Sequence, residues 1–259
     1  MSEVQVRLRS AHDIYPASDG AWRVSSPGDR FDRIELPFAL AATVARILTG
    51  REESGDWGPE MAAIIDAFVD AGYAESRAQP VRRATSVCCF GDASYLTLVT
   101  DLLQKAGATV TPAPGADGIW LFGQLNLDDE QMVRWDAWAE EAGVVRHRAF
   151  FEGGRWFIGP MTEPGRTATY ADYRLRRLAA CDVPNELAEY WRALPALCQR
   201  EPSAGVAALI AGFLVGDVLA VLGGSRPPTA GFQIELDPET LQTTWHPVLP
   251  LPGGLWEGE

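Results

Sequence analysis

Residues Ala84–Pro114, ATSVCCFGDASYLTLVTDLLQKAGATVTPAP, indicate the architecture of the larger part of the chain. It begins with a short apolar run, Thr85–Phe90, which is followed at once by Gly91. Ser94–Ala106 repeats apolar residues at helical spacing, and Thr109–Pro112 is predicted to be the next strand. A strand, a glycine turn, a helix and a strand in this order are typical of a βαβ unit, so the stretch predicts a parallel sheet.

A second unit of the same kind follows. Gly118–Gly123 is predicted to be a strand, Asp128–Gly143 an amphipathic helix and Val144–Phe150 the next strand. Later elements complete the pattern: a long apolar helix over 205–222 and an antiparallel pair over 232–236 and 243–249. The fold class expected from this rhythm is α/β, with a Rossmann-like domain.

The beginning of the chain has a different rhythm. Val4–Leu8, Ala21–Ser25 and Phe31–Leu36 are predicted strands, separated by turn-forming residues. Phe38–Leu48 and the segment from Pro59 to a stop at residue 72 have apolar residues at helical spacing. Three small strands followed by helices predict a winged-helix unit.

These patterns divide the chain into two expected domains. Residues 1–76 form the winged-helix unit, and 77–84, which are polar and basic around Pro80, form a linker. Residues 85–259 form the Rossmann-like domain.

Composition limits the function. The 259 residues carry a formal net charge of −13 and a pI near 4.7, which argues against a nucleic-acid binder because basic residues are needed to neutralise phosphates. The N-terminus has no apolar signal segment. Val206–Leu222 is interrupted by Gly212, Gly216 and Asp217 and is predicted to be a buried helix, in a core or at a homodimer seam, and not a membrane span. Four cysteines without metal spacing predict free thiols in the cytoplasm.

No cofactor, metal or catalytic residue is predicted. The turn Phe90–Ser94 has one glycine where phosphate binding needs several, and Asp92 places a negative charge where a phosphate would lie. The three histidines, His12, His147 and His246, are far apart and lack the spacing of metal ligands. No Gly-x-Ser-x-Gly motif indicates a nucleophile elbow.

The remaining candidate is a peptide site in the first domain. An extended peptide could add a strand to the edge of Phe31–Leu36 beside the helix that ends at Gly72. Most of these apolar side chains are expected to form the core of a small domain. The two interpretations are compatible, because one face packs the core while the strand edge stays open. The predicted contact residues are Phe31, Asp32, Arg33, Ile34, Glu35 and Leu36 on the strand, and Ile65, Phe68, Val69 and Gly72 on the helix.

Several motifs carry a resemblance to a known family. They are Gly153–Pro160 (GGRWFIGP), Pro164–Ala168 (PGRTA), a helix with Arg174, Arg176 and Arg177, and the tail with ALIAGFLVGDVLAVL and ELDPETLQTTWHPVLPLP. Together they resemble the ThiF-like (ubiquitin-activating-like) proteins of azole-forming ribosomal peptide pathways. The N-terminal unit is similar to the precursor-peptide recognition element that is fused to these proteins.

The resemblance implies a function. Such proteins bind the leader of a precursor peptide by strand addition and present its core to a YcaO-type partner, which uses ATP to form azolines. The expected role is therefore a non-catalytic scaffold, an accessory subunit of a cyclodehydratase complex, whose partners are a precursor peptide and a YcaO-type or other modifying enzyme.

The sequence departs from the family at its structural zinc. The family's first Cys-x-x-Cys pair would fall at Thr169 and Asp172 and the second near Gly254 and Glu257, and none of these is cysteine. We therefore expect no zinc. Aromatic packing is expected to replace it, between two tyrosines and two tryptophans: Tyr170, Tyr173, Trp245 and Trp256.

Two alternatives stay open. A ThiF-like adenylating enzyme would activate a peptide carboxylate with ATP, but the turn after Phe90 lacks a glycine-rich loop. A winged-helix regulator would use the helix from Pro59 to read DNA, but that helix carries Glu60, Asp66 and Asp70 and no basic residue.

Overall fold

The computed structural model describes residues 4–9, 11–52, 58–78, 86–197 and 199–251. The chain forms two compact units, Met1–Val81 and Arg82–Glu259. Each contains helices and strands, so the α/β class predicted from the sequence is confirmed.

The first unit has five strands and two helices among its described residues. β1 pairs antiparallel with β5, and β2, β3 and β4 form a separate antiparallel sheet with β3 in the middle. The strands are β1 Val4–Leu8, β2 Asp13–Pro16, β3 Trp22–Ser26, β4 Arg30–Ile34 and β5 Ala74–Ala78, and the helices are α1 Phe38–Leu48 and α2 Gly58–Asp70.

The sequence analysis missed two of these strands. β2 is only four residues long, and β5 has the polar sequence AESRA, so neither shows a clear apolar alternation. β5 extends through residues 77 and 78, which the sequence assigned to the linker, while 79–84 lie outside the described residues. The core of the unit lies between the strands and the two helices and contains Val24, Val44, Ile47, Leu48, Ile65, Phe68 and Ala74.

The second unit is built on a six-stranded sheet in the order β11-β10-β9-β8-β7-β6. The first three strands along the chain are parallel and the last three pair antiparallel. The strands are β6 Ser86–Gly91, β7 Gly118–Gln124, β8 Val145–Glu152, β9 Arg155–Ile158, β10 Phe232–Leu236 and β11 Thr243–Pro247. The helices are α3 Tyr95–Lys105, α4 Asp129–Glu141, α5 Tyr170–Ala180, α6 Pro184–Ala193 and α7 Ala204–Leu222, with a 3-10 turn over Leu194–Ala196.

The predicted parallel sheet and closing antiparallel pair are therefore present, with one correction. The strand predicted over Thr109–Pro112 is reduced to a single parallel bridge between Val110 and Val87. Prolines at 112 and 114 cannot donate ladder hydrogen bonds, which limits this segment to the edge beside β6.

Two apolar cores cover the two faces of the sheet. Alternate residues of each strand enter different cores: Val87 packs under α3 and α7, whereas Cys88 packs under α4 and α5. Because β6 and β7 are buried on both faces of the sheet, their sequences are continuous apolar runs.

The long apolar helix α7 confirms the predicted helix over 205–222. Among the described residues it alone has the length and composition to cross a membrane, yet its inner face buries Ile210, Leu214 and Val218 in the core shared with α3. This packing is that of a core helix.

Gly91 is required by the close approach of two strands. It has a φ of +104° and lies beside Gly123 of β7, and a Cβ at position 91 would stand 1.9 Å from the carbonyl oxygen of Gly123. The glycine at the end of β6 therefore has a packing reason that involves no ligand.

Replacing Gly91 by alanine should lower the free energy of unfolding by about 3 kcal/mol or more, since it adds a backbone clash to an unfavourable φ. The matched control is Gly107→Ala, at φ +81° with nothing within 4 Å of the added Cβ, where only the φ penalty of about 1–2 kcal/mol is expected. Urea unfolding of both variants measures the difference, and equal losses would contradict the close strand contact.

Candidate functional site

β4 is an edge strand with one face tied to the core. It pairs with β3 alone among the described strands. Ile34 and the following Leu36 are half-buried and pack against the core of the first unit, whereas Phe31 keeps 57% of its surface exposed and Glu35 is also exposed. The strand predicted to accept a peptide therefore packs one face on the core, while its outer backbone edge pairs with no described strand.

The β2–β3 hairpin fixes the backbone direction in this sheet. The N–H of Ala17 donates to the carbonyl of Ala21 at 2.8 Å, so this pair is a hydrogen-bonded position of the hairpin. Backbone groups alternate in direction along a strand. The N–H and C=O groups of Arg23, two residues after Ala21, thus point toward β2, whereas those of Trp22 and Val24 point toward β4.

The same alternation decides which amides of β4 are free. Ile34 lies opposite Trp22, and Asp32 lies opposite Val24. The N–H and C=O groups of Ile34 and Asp32 therefore point toward β3. The N–H and C=O groups of Phe31 and Arg33 consequently point away from the sheet. These are the main-chain groups that an added strand needs.

The other edge of this sheet is less able to accept a strand. Pro16 of β2 lies opposite Trp22, at a position whose backbone faces outward, and proline has no N–H to donate. Proline on an edge strand is one of the ways in which proteins discourage pairing. Within its five residues β4 has no such block.

The predicted helix residues lie deeper than the strand residues. Ile65 and Phe68 are 2% and 8% exposed and belong to the core beneath the sheet, Val69 is half-buried against it, and Gly72 follows the end of α2 at φ +80°. Just beyond it, Tyr73 donates its hydroxyl to Asp32 Oδ2 at 2.8 Å. The structure thus brings the end of α2 to β4 through Tyr73, a contact that the sequence did not indicate.

Charged side chains occupy the solvent-facing side of the sheet. Arg23 donates to both carboxylate oxygens of Asp19, at 3.1 and 2.7 Å. The hydrogen bond from Arg23, together with that from the amide of Ala21, lowers the pKa of Asp19 to about 2. These hydrogen bonds hold the hairpin turn against Arg23 of β3, the strand that pairs with β4.

In the second unit, side chains from the segment before α7 contact the turn that follows β6. Asp92 accepts a hydrogen bond from the Gln199 amide at 3.3 Å, and the Ser94 hydroxyl donates to the Glu201 carboxylate. Ser94 is the N-cap residue of α3 but makes no side-chain capping bond. Two carboxylates at this helix N-terminus oppose an anionic phosphate there.

Thr169 and Asp172 form the N-terminal cap of α5. Thr169 accepts a hydrogen bond from the Asp172 N–H, and Asp172 Oδ2 accepts bonds from the N–H and hydroxyl of Thr169. The other oxygen, Oδ1, accepts the N–H of Leu251 at 3.2 Å. Both oxygens of the carboxylate are engaged, so this pair does not fit a zinc ligand set.

The C-terminal tail is held beside α5 by hydrogen bonds. Arg176 donates to the carbonyl oxygens of Leu249 and Pro250 at 2.6 and 3.2 Å. Positions 254, 256 and 257, where the sequence places the second ligand pair and one expected tryptophan, lie outside the described residues. Within the described ranges, no group of three or more His, Cys, Asp or Glu residues could hold a metal.

The expected packing of Trp245 on the tyrosines is wrong. The Trp245 ring lies 6.1 Å from Phe213 of α7 and 6.3 Å from Phe232, on one face of the sheet. Tyr170 and Tyr173 lie in the core of the opposite face. Side chains of β11 alternate, so its neighbour His246, and not Trp245, faces the α5 side, where it contacts Glu235 at 2.9 Å.

A buried ionic cluster fixes α5 on the sheet. Asp136 of α4 accepts hydrogen bonds from Arg146 Nε at 2.6 Å, Arg148 Nη1 at 3.5 Å and the backbone N–H of Tyr170 at 3.0 Å. Both arginines are fully buried. Burial lowers the pKa of Arg148, and the Asp136 carboxylate opposes that shift. The alternation of arginines in the strand VRHRAFFE is the sequence signal that corresponds to this cluster.

A second buried polar cluster lies on the other face. His147 Nε2 lies 2.8 Å from Asp217 Oδ2, and the hydroxyl of Thr229 donates to the same oxygen at 2.6 Å. All three are buried. The cluster joins β8, α7 and the segment before β10, so His147 links three elements of the second unit.

Comparisons with known proteins give the fold. No family model and no curated protein matches the sequence. Among solved structures, the heterocyclase TruD is similar with a TM-score of 0.60 and 14% identity, over 96% of this chain and 42% of TruD. The chain thus spans about two fifths of the length of TruD.

Two Escherichia coli proteins are similar over nearly their whole length. MccB has a TM-score of 0.55 and 10% identity over 96% of this chain and 95% of its own. A chain of the microcin synthetase McbBCD complex has a TM-score of 0.52 and 11% identity over 96% of this chain and 99% of its own. At these identities the likeness shows that the chain shares their fold.

Replacing Asp172 by alanine should release the tail as well as weaken the helix cap. Both Asp172→Ala and its control, Thr169→Ala, should lower the free energy of unfolding by about 1 kcal/mol, because each breaks the capping box. Only Asp172→Ala removes the acceptor of the Leu251 amide. Amide exchange measured by NMR should therefore speed up at Leu251 in that variant alone, and equal exchange in both would contradict the tether.

Proposed function

We propose that this chain binds the leader of a ribosomally made precursor peptide by strand addition to β4. It acts as a non-catalytic scaffold that presents the rest of the peptide to a YcaO-type or other modifying enzyme in the cytoplasm. The observation that carries the proposal is the open edge of β4, where the main-chain groups of Phe31 and Arg33 face outward.

The surroundings of that edge support the proposal. Ile34 is anchored in the core and Asp32 is bonded to Tyr73, so the strand is held in its extended form before a peptide arrives. A preformed strand costs less conformational entropy on binding. The core residues Ile65 and Phe68 then contribute by supporting the sheet, while Phe31, Arg33 and Glu35 remain exposed for contact.

The similar structures favour a role in peptide modification. TruD is a heterocyclase, one related structure is a heterocyclase in complex with substrate and cofactor, and McbBCD is a synthetase complex. The likeness to part of TruD and to one chain of a complex favours a protein that works together with a modifying enzyme.

An adenylating activity is the second candidate, because MccB has also been solved with ATP and that structure matches with a TM-score of 0.53. The contacts of Asp92 and Ser94 with Gln199 and Glu201 weigh against it, since they place acidic groups at the first turn of α3. Pyrophosphate release by the purified chain with ATP and a peptide substrate would favour this candidate over the scaffold.

The regulator interpretation has less support. Glu60, Asp66 and Asp70 are all exposed on α2, so the helix that would enter a DNA groove presents carboxylates to the phosphates.

Arg33→Pro should weaken the binding of a leader peptide from the neighbouring gene cluster about tenfold. The ring removes an outward N–H, worth about 0.5–1.5 kcal/mol as a hydrogen bond, and obstructs the edge. Arg33→Ala is the matched control, because it keeps the amide and should lose less. Calorimetric titration compares them, with circular dichroism to confirm folding. Unchanged affinity in folded Arg33→Pro would exclude strand addition at this edge.

We also propose that hydrogen bonds, and not a metal, hold the tail against α5. Elemental analysis of the purified chain should find no stoichiometric zinc, and a chelator should leave the melting temperature unchanged. A structural zinc site would contribute on the order of ten kcal/mol and would be lost on chelation. One zinc per chain would overturn this proposal.

A further inference from the structure

The outer face of the small sheet carries two arginines side by side. Arg23 of β3 and Arg33 of β4 are directly opposite in the register, and Tyr15 of β2 continues the row. Like charges at directly opposite positions destabilise a sheet. Such a pair needs a negative group nearby, in the free protein or in a complex.

The available carboxylate serves only one of the two arginines. Asp19 is bonded through both oxygens to Arg23. Arg33 is exposed and forms no ion pair or side-chain hydrogen bond with any described residue, although it adds to the electrostatic attraction on Asp19. In a chain with a net charge of −13, Arg33 is thus a cationic side chain on the edge strand that no described carboxylate contacts directly.

Strand addition would place a partner side chain directly beside Arg33. Because the Arg33 backbone faces the open edge, the opposing residue of an antiparallel added strand would form a hydrogen-bonded pair with it. The two Cα atoms of such a pair are about 5.5 Å apart, and their side chains share one face. The added side chain would therefore lie on the outer face next to the free guanidinium.

Apolar groups flank this position. Phe31 is two residues away on the same face and 57% exposed. On the other face, Ile34 lies opposite Trp22, whose ring is 5.8 Å from that of Phe38 at the start of α1. Phe38 is itself 54% exposed. An added strand thus meets an apolar surface on both sides of the Arg33 position.

We infer that the peptide segment recognised by β4 carries an aspartate or glutamate opposite Arg33. The neighbouring peptide residue, which lies opposite Ile34 and near Trp22 and Phe38, is apolar. In the other direction along the peptide, the residue two positions from the acidic one lies opposite Phe31 and is aromatic or aliphatic. This inference rests on the proposed strand addition and names the class of leader sequence that it selects.

The probe is a phage-displayed library of random linear peptides, panned on the purified full chain. Selected peptides should share an acidic residue with an apolar neighbour on one side and an aromatic or aliphatic residue two positions away on the other. Changing the acidic residue of a synthetic selected peptide to its amide should weaken binding about two- to fivefold at low ionic strength, the size of a cross-strand charge pair.

A double-mutant cycle assigns the preference to a residue. With Arg33→Gln, the acidic peptide and its amide should bind equally well. Arg46→Gln is the matched control, since Arg46 is an exposed arginine of α1 paired with Glu52 and should leave the discrimination unchanged. A preference that persists in Arg33→Gln would overturn the inference.

The outcomes also separate this inference from the proposed function. If Arg33→Pro weakens binding of the selected peptides about tenfold but the acidic preference is absent, strand addition stands and only the charge specificity is wrong. If selected peptides bind folded Arg33→Pro as well as the unchanged chain, both are wrong.

Discussion

The carboxylate of Asp136 determines how the second unit is put together. It accepts hydrogen bonds from two buried arginines of β8 and from the first amide of α5, so one side chain joins α4, the sheet and α5. Glu140 adds an ion pair to Arg146, with an Nη2–Oε2 distance of 2.6 Å but an alignment that does not meet hydrogen-bond geometry. Removing one member of such a buried group typically costs about 3–5 kcal/mol, because the other charges lose their compensation.

This cluster has consequences for the helix that it positions. Arg174 contacts Asp129 at 2.7 Å and Arg177 contacts Glu152 at 2.7 Å, so α5 carries a series of ion pairs that continue from Asp136 along one core. The Arg177 guanidinium also lies over the rings of Phe157, Tyr173 and Trp191. The helix is thus fixed by charge and aromatic contacts, and its cap remains available to bind the tail.

With these contacts, the second unit uses its polar groups for its own structure. The last glycine of β6 serves strand packing, the residues just before α3 bind a neighbouring segment, and the cap of α5 binds the tail. The first unit is different, because the outward amides of β4 and the exposed side chains of Phe31 and Arg33 have no partner among the described residues. This contrast is the physical reason for proposing a peptide site at β4.

The sequence predicted the elements whose patterns are strong. The continuous apolar runs of β6 and β7 and the helical spacing of α1 were recognised, and the edge strand around Phe31–Leu36 was found within two residues. The strands that were not predicted are short or polar. The strand predicted over Thr109–Pro112 is a single bridge in the structure. The burial of Arg146 and Arg148 was not predicted, because a charged residue in a strand usually faces water and their alternation alone does not show which face is covered.

Details of the site depend on register, which the sequence does not display. That Phe31 and Arg33, and not Asp32, turn their amides outward follows from the Ala17–Ala21 hydrogen bond and the pairing of three strands. The contact from Tyr73 to Asp32 joins residues 41 positions apart. Both become visible only when the strands are aligned in space.

Residue-resolved amide exchange along β4 shows whether a peptide adds as a strand at this edge. In the free protein, the amides of Asp32 and Ile34 should exchange slowly and those of Phe31 and Arg33 quickly. Adding a peptide that binds, such as the tightest one selected from a random library, should slow amide exchange at Phe31 and Arg33. The exchange rates of the neighbouring amides should change little. Binding that leaves Phe31 and Arg33 unprotected would contradict the account.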